Sequence, residues 1–184
     1  EASTYLSAEK GCFPAFKAEP FLESGFCQTL TQSLRSKINE YGMRNCAVLT
    51  IAPTGTTSIL AGTSSGIEPI FAPGYRRIYY RDADDSNERI LQEEVVIDPL
   101  FEQLWRASEV EELASVFVGA MDIDVESHLR MQAICQKHID NAVSKTINVP
   151  TDYPVETFGE MMLKYGPLLK GTTVYRSGSR GNEP

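Results

Sequence analysis

The sequence predicts an α/β fold, and three observations carry that prediction. Short β-branched apolar runs at 47–51, 146–149 and 171–175 read as buried strands. Segments of helical period separate them, so the order toward the C-terminus is strand, helix, strand, helix, strand, which favours parallel pairing. Only three to five convincing strands are present, however, and a parallel sheet has to be covered on both faces. The pattern is therefore that of a portion of a larger α/β fold, organised as a single domain over 1–184 with a polar, glycine-rich, flexible tail at 176–184. No internal repeat is evident.

Each element has a local reason. Residues 1–10 are helical, and Gly11 is suited to stop them. A further helical turn is expected at 20–25, with Pro20 at its start. Thr31 caps a helix that carries Leu34, Ile38 and Tyr41 on one face, and Gly42 ends it. After the strand at 47–51, Pro53 and Gly55 break the extended run, and a short helix is expected from Ser58 to Ala61. Residues 74–81 and 89–97 read as the two strands of a hairpin around the polar turn at 82–87, although 89–97 also allows a helix. Asp98-Pro99 is an N-cap followed by a first helical residue, with Leu100, Phe101, Leu104 and Trp105 on one face. Residues 109–118 read as helical. Asp124 caps the strongest helix, whose expected core face is Met131, Ile134, Cys135, His138, Ile139 and Ala142. Pro154 starts a last helix with Phe158, Met161, Met162 and Tyr165 as core, and Gly166-Pro167 ends it.

Composition narrows the function classes. Of 184 residues, 42% are hydrophobic and 23% charged, which is ordinary globular chemistry. Seventeen basic against 25 acidic side chains give a net charge of −8, which repels a nucleic-acid polymer at long range. No run of 18 apolar residues exists to span a membrane, and no signal peptide is visible. The chain opens on Glu1 without a methionine and so reads either as a trimmed chain or as a piece of something larger. Cys12, Cys27, Cys46 and Cys135 form no CxxC pair, so a zinc ribbon or dithiol centre is not expected. Free, mostly buried thiols and a reducing, cytoplasmic location are the simple expectation.

One loop has residue types suited to a ligand. Ala52-Pro53-Thr54-Gly55-Thr56-Thr57-Ser58 directly follows a strand. Gly55 permits close approach of an anion to the backbone, or a positive φ. The hydroxyls of Thr54, Thr56, Thr57 and Ser58 are donors, and a helix starting nearby would aim free N–H groups at the same point. Together these would cradle a phosphate without a lysine. Neither a Walker A loop nor a GxGxxG fingerprint is present, and a plain turn remains the simpler reading of these residues alone. Other features read as structural. Ser64-Ser65-Gly66 lacks the glycine a nucleophile elbow requires. His138 reads as a core residue, and nothing marks His128 as a base. Arg76, Arg77 and Arg81 beside Tyr75, Tyr79 and Tyr80 are either a stacking surface for nucleotides or a solvated strand face. Glu68 is either an active-site acid or a loop carboxylate.

Longer blocks carry a family likeness. Leu49-Thr50-Ile51-Ala52-Pro53-Thr54-Gly55-Thr56-Thr57-Ser58, continued by Gly62-Thr63-Ser64-Ser65-Gly66-Ile67-Glu68-Pro69-Ile70-Phe71, resembles a signature of adenosylcobalamin-dependent (class II) ribonucleotide reductases. Met131-Gln132, Gln136-Lys137 and Asp140 to Asn148 form a second match. Lys170-Gly171, Val174-Tyr175-Arg176 and Gly178-Ser179-Arg180 form a third. The blocks follow family order, and Glu9-Lys10-Gly11, Phe13-Pro14, Leu22 to Gly25 and Tyr41 to Asn45 fit as well. Thr57 stands where the family often has isoleucine, and Ser177 where it often has aspartate.

The resemblance implies the incomplete C-terminal part of a ten-stranded α/β reductase barrel, either as a portion of the reductase chain or as a separate small subunit, with Ala52–Ser58 holding the phosphate of a ribonucleotide substrate. It also implies adenosylcobalamin, held mainly by an upstream part or a partner chain, and a larger N-terminal catalytic chain as partner. The family's radical-bearing finger-loop cysteine, its Asn-x-Cys-x-Glu segment and its redox cysteine pair have no counterpart here, so this chain is not expected to be catalytic alone. The alternative is a stand-alone, non-catalytic nucleotide-binding or regulatory module.

Overall fold

The computed structural model describes residues 1–82, 89–107 and 116–179. The expected helix at 109–118 falls largely outside these residues, as do the hairpin tip and the end of the expected tail.

Four helices open the chain: α1 (Ala2–Lys10), α2 (Ala18–Leu22), α3 (Gly25–Gln28) and α4 (Gln32–Tyr41). Local chemistry sets their ends. Gly11 stops α1 at φ 80°, Thr31 accepts the Leu34 N–H at the start of α4, and Gly42 ends α4 at φ 71°. The expected turn at 20–25 begins earlier, at Ala18, which leaves Pro20 inside the first turn, where its missing N–H costs no helical bond. A separate turn, α3, follows under a Ser24 cap. Phe13, Phe16 and Phe21 pack with ring centroids 5.4–6.1 Å apart, and Ile38 and Cys27 are fully enclosed.

The expected buried strand at 47–51 is a correction. Only Ile51 makes a β-bridge, parallel to Val143, and Val48 and Leu49 are about half-exposed (46% and 48%). Residues 140–144 run beside it and share three backbone bonds, from the Asn141 N–H to the Leu49 carbonyl, the Ile51 N–H to the Ala142 carbonyl and the Ser144 N–H to the Ile51 carbonyl. The Asp140 carboxylate extends this short pairing by accepting the N–H groups of Val48 and Leu49 at 2.7 Å each.

Helix α5 (Gly55–Ala61) begins three residues before the expected Ser58, and Gly62 closes it in the left-handed region. The hairpin is as expected: β1 (Gly74–Asp82) pairs antiparallel with β2 (Arg89–Ile97), and the helix alternative for 89–97 falls. Asp98 then caps α6 (Pro99–Trp105) by accepting the Phe101 N–H.

The core lies C-terminal. Helix α7 (Val125–Gln136), β3 (Thr146–Val149), α8 (Val155–Tyr165) and β4 (Thr173–Arg176) form it, with β3 and β4 paired in parallel from Thr146↔Thr173 to Val149↔Arg176. Val125, Leu129, Ile147, Val149 and Tyr165 are its buried centre, with Phe158, Met161 and Met162 packed against them as expected. Each fully enclosed aliphatic here contributes about 1.5–3 kcal/mol. Arg176 closes β4 and donates to the carbonyls of Thr151 and Tyr153.

The inward face of α7 is not the expected one. It consists of Val125, His128, Leu129, Gln132 and Gln136, whereas Met131 and Ile134 are about half-exposed (49% and 54%). The helix ends at Gln136, so His138, Ile139 and Ala142 lie beyond it, and His138 is exposed. Irregular backbone beside the helix carries carbonyls that no ladder satisfies. Gln132 donates to the carbonyls of Val143 and Gly171, and Gln136 to those of Ile139 and Asn141. Polar side chains are thus required on the buried face. The mixture of helices and strands fits an α/β class, and the described strands form two two-stranded sheets rather than a closed barrel.

Candidate functional site

Residues 52–58 leave Ile51 and turn into α5. Ala52, Pro53, Gly55, Thr56 and Thr57 are exposed, Thr54 is half-buried and Ser58 is buried. Thr54 occupies the N-cap position, yet its side chain caps no backbone N–H; its hydroxyl pairs with Ser65 Oγ at 3.1 Å. Ser58 Oγ donates to the Gly55 carbonyl at 2.7 Å. The first amides of a helix have no carbonyl a turn back to bond. At α5 they remain available beside the exposed Thr56 and Thr57 hydroxyls. Gly55 has an ordinary negative φ, so the positive-φ reason for glycine does not hold. A Cβ built there would meet nothing within 4 Å, so the fold itself does not require glycine at this point. A cavity of about 290 Å³ opens alongside, lined by Thr50, Pro53, Ser144, Lys145 and Thr173 among others.

A second arrangement was not foreseen. Lys145 is 2% exposed and donates to Glu68 Oε2 at 2.7 Å, to His128 Nδ1 at 2.9 Å and to the Thr146 carbonyl at 2.8 Å. The other Glu68 oxygen accepts the Thr146 N–H at 2.5 Å. His128 is 1% exposed, and its Nε2 lies 2.9 Å from the Ala120 carbonyl. With Nε2–H donating there and Nδ1 accepting from Lys145, the imidazole is neutral. Burial pushes its pKa down, the Ala120 carbonyl opposes that, and the Lys145 charge lowers it further. Glu68 is therefore an engaged loop carboxylate. The signal for Lys145 lay in its position: a lysine between Val143 and Ile147, at the mouth of a buried strand, requires partners.

The remaining candidates resolve simply. Arg76 and Arg77 pair across the hairpin with Glu93 (3.2 Å) and Glu94 (3.5 Å), so this is a solvated strand face with compensated charge. All four cysteines are free, but only Cys27 is buried; Cys12 and Cys46 are exposed, which corrects the mostly buried expectation. Among the described residues no cluster of three His, Cys, Asp or Glu side chains is placed to hold a metal, and no helix is long and apolar enough to cross a membrane.

Comparison with known proteins adds an independent line. A family model described as the ribonucleotide reductase barrel domain matches residues 1–175. The chain is similar to the vitamin B12-dependent ribonucleoside-diphosphate reductase of Mycobacterium tuberculosis, at 33% identity over 97% of this chain and 25% of that protein. It is similar to the enzyme of the same description from Thermoplasma acidophilum, at 34% identity over 98% of this chain and 23% of that protein. A ribonucleoside-diphosphate reductase subunit alpha from Treponema pallidum is 26% identical over 85% of this chain and 17% of that protein. The chain thus spans about a quarter of the length of the curated relatives that it matches over nearly all its residues.

Proposed function

Because the chain belongs to the ribonucleotide reductase barrel-domain family, we propose that it is part of a reductase converting ribonucleotides to deoxyribonucleotides, and that residues 52–58 hold the substrate's phosphate. The observation that carries the site is Gly55, whose missing side chain leaves open space directly at the start of α5, beside uncapped amides and two exposed threonine hydroxyls. A phosphate seated there accepts backbone N–H and hydroxyl hydrogen bonds and needs no lysine. Its role is positional. Fixing the phosphate fixes the ribose that follows it, which turns an encounter into an oriented, effectively unimolecular step.

The relatives' names supply the cofactor class, vitamin B12, and we propose adenosylcobalamin as the radical source of the complete reductase. The chain spans about a quarter of these relatives, and we assign the cofactor and the radical chemistry mainly to the remainder of the reductase. A larger partner region also suits the surface. Ile59, Leu60 and Leu163 are 81–85% exposed, and the two-stranded parallel sheet has open edges.

Gly55→Val in the complete reductase tests the phosphate site. The side chain enters open space, so the fold should persist. Nucleotide affinity should fall about tenfold or more, the equivalent of one charge-assisted hydrogen bond. Unaltered affinity in a folded variant refutes the cradle.

A further inference from the structure

Lys145 is an expensive residue to place where it stands. Replacing a buried ion pair by apolar side chains is often neutral or stabilising, so such a pair is a weak source of stability. What this one does supply is connection. All three Nζ–H bonds are used, on Glu68, His128 and Thr146, and Glu68 returns a second bond from the Thr146 N–H. Glu68 lies on the segment that faces the proposed phosphate loop. Its own N–H donates to the Ser65 carbonyl at 2.9 Å, and Ser65 Oγ meets Thr54 Oγ1 at 3.1 Å. Gly66 sits at φ 54°, so close that a Cβ would touch Ile51 Cγ2 at 3.6 Å and the Ala52 carbonyl at 3.8 Å. On the other side, His128 is held by the Ala120 carbonyl, and the Ala120 N–H donates to the Ile70 carbonyl at 2.8 Å. Residues 65–70 are therefore tied at both ends to one buried ammonium.

We infer that Lys145, seated between Glu68 and His128, is a positioning residue for substrate binding: it fixes residues 65–70 against the sheet, and through Ser65 holds Thr54 at the mouth of the phosphate loop. The inference rests on the phosphate-loop reading given above. Lys145 touches no substrate in this scheme; it acts only through Glu68 and Ser65.

The experiment is equilibrium titration of the complete reductase with a ribonucleoside 5′-diphosphate, reading Kd and the number of binding sites separately. Lys145→Met should raise Kd about tenfold, and Ser65→Ala about three- to fivefold, each with full site number. A merely structural role would do the reverse, lowering the number of competent sites and leaving the Kd of the survivors unchanged, and that result overturns the inference. Gly55→Val runs alongside. If it weakens binding while Lys145→Met and Ser65→Ala keep the original Kd, the positioning role alone fails. If Gly55→Val itself leaves Kd unchanged, the phosphate-loop reading fails first. Should Lys145→Met not fold, Ser65→Ala decides by the same criterion, since it deletes one hydroxyl from a half-buried loop.

Discussion

Asp140 offers a sharp test of how the approach to the phosphate loop is held. Its two carboxylate oxygens each accept one backbone N–H, from Val48 and Leu49, at 2.7 Å. A hydrogen bond to a charged acceptor contributes about 1.5–3 kcal/mol when its loss leaves a buried donor unpaired. Here Val48 and Leu49 are 46% and 48% exposed, so water can re-pair the freed amides, and the lower end applies. Asp140→Ala should therefore cost about 3 kcal/mol for both bonds together, roughly a hundredfold rise in local opening. The informative variant is Asp140→Asn. Its amide presents one acceptor and one donor, so one backbone N–H would face an NH₂ group. Asparagine should be no better than alanine despite its shape. Amide hydrogen exchange at Val48 and Leu49 reads this directly. Unchanged exchange in Asp140→Ala refutes the reasoning, as does an Asp140→Asn protein that behaves as wild type.

Three further outcomes follow from the same structure. Leu129→Ala, at a side chain with no exposure in the centre of the core, should lower unfolding free energy by about 2–5 kcal/mol in denaturant melts. Gly42→Ala should cost about 1–3 kcal/mol in the same assay, because φ 71° and ψ −163° suit only glycine and a Cβ there collides with Cys12 Sγ. His128 is neutral in the fold: burial, and then the Lys145 charge, push its pKa below 6.5 against the opposing pull of the Ala120 carbonyl, Glu68 and Asp124. The unfolded chain takes up a proton there first, so this contribution is present above pH 6.5 and is lost as the pH falls below it toward the lowered value. His128→Gln should remove that part of the acid destabilisation, and a pH profile parallel to wild type would contradict it.

Features governed by neighbours in sequence were legible in advance. Thr31, Asp98 and Asp124 each bond an amide three residues on, so their caps are written in adjacent residues. The first hairpin strand was equally plain in its composition, whereas 89–97 also allowed a helix. The inward face of α7 was not legible, because Gln132 and Gln136 are buried to serve carbonyls at Val143 and Asn141 that no backbone N–H takes up. The apolar run at 47–51 misled for a related reason. Its support lies some ninety residues away, in the backbone of 141–144 and the Asp140 carboxylate, and that pairing is too short to enclose Val48 and Leu49. At the site, the Thr/Gly loop and Glu68 stood out by residue type. The Lys145–His128 contact did not, since it joins the residue just before β3 to a helix face that helical periodicity had assigned to other residues.

The bond from the Ala120 N–H to the Ile70 carbonyl also sets the topology of everything between them. The chain leaves the frame at Ile70 and returns to the same point at Ala120, carrying the whole β1–β2 hairpin and α6 on the excursion. A second return is nested inside it, where the Asp98 N–H meets the Pro73 carbonyl at 2.9 Å. Closing a loop costs entropy only as the logarithm of its length. Shortening the excursion from roughly fifty residues to about five would save only about 2 kcal/mol, and lengthening it would cost correspondingly little. The hairpin is thus a place where chain length can change at little entropic cost without altering the ammonium-centred frame it departs from.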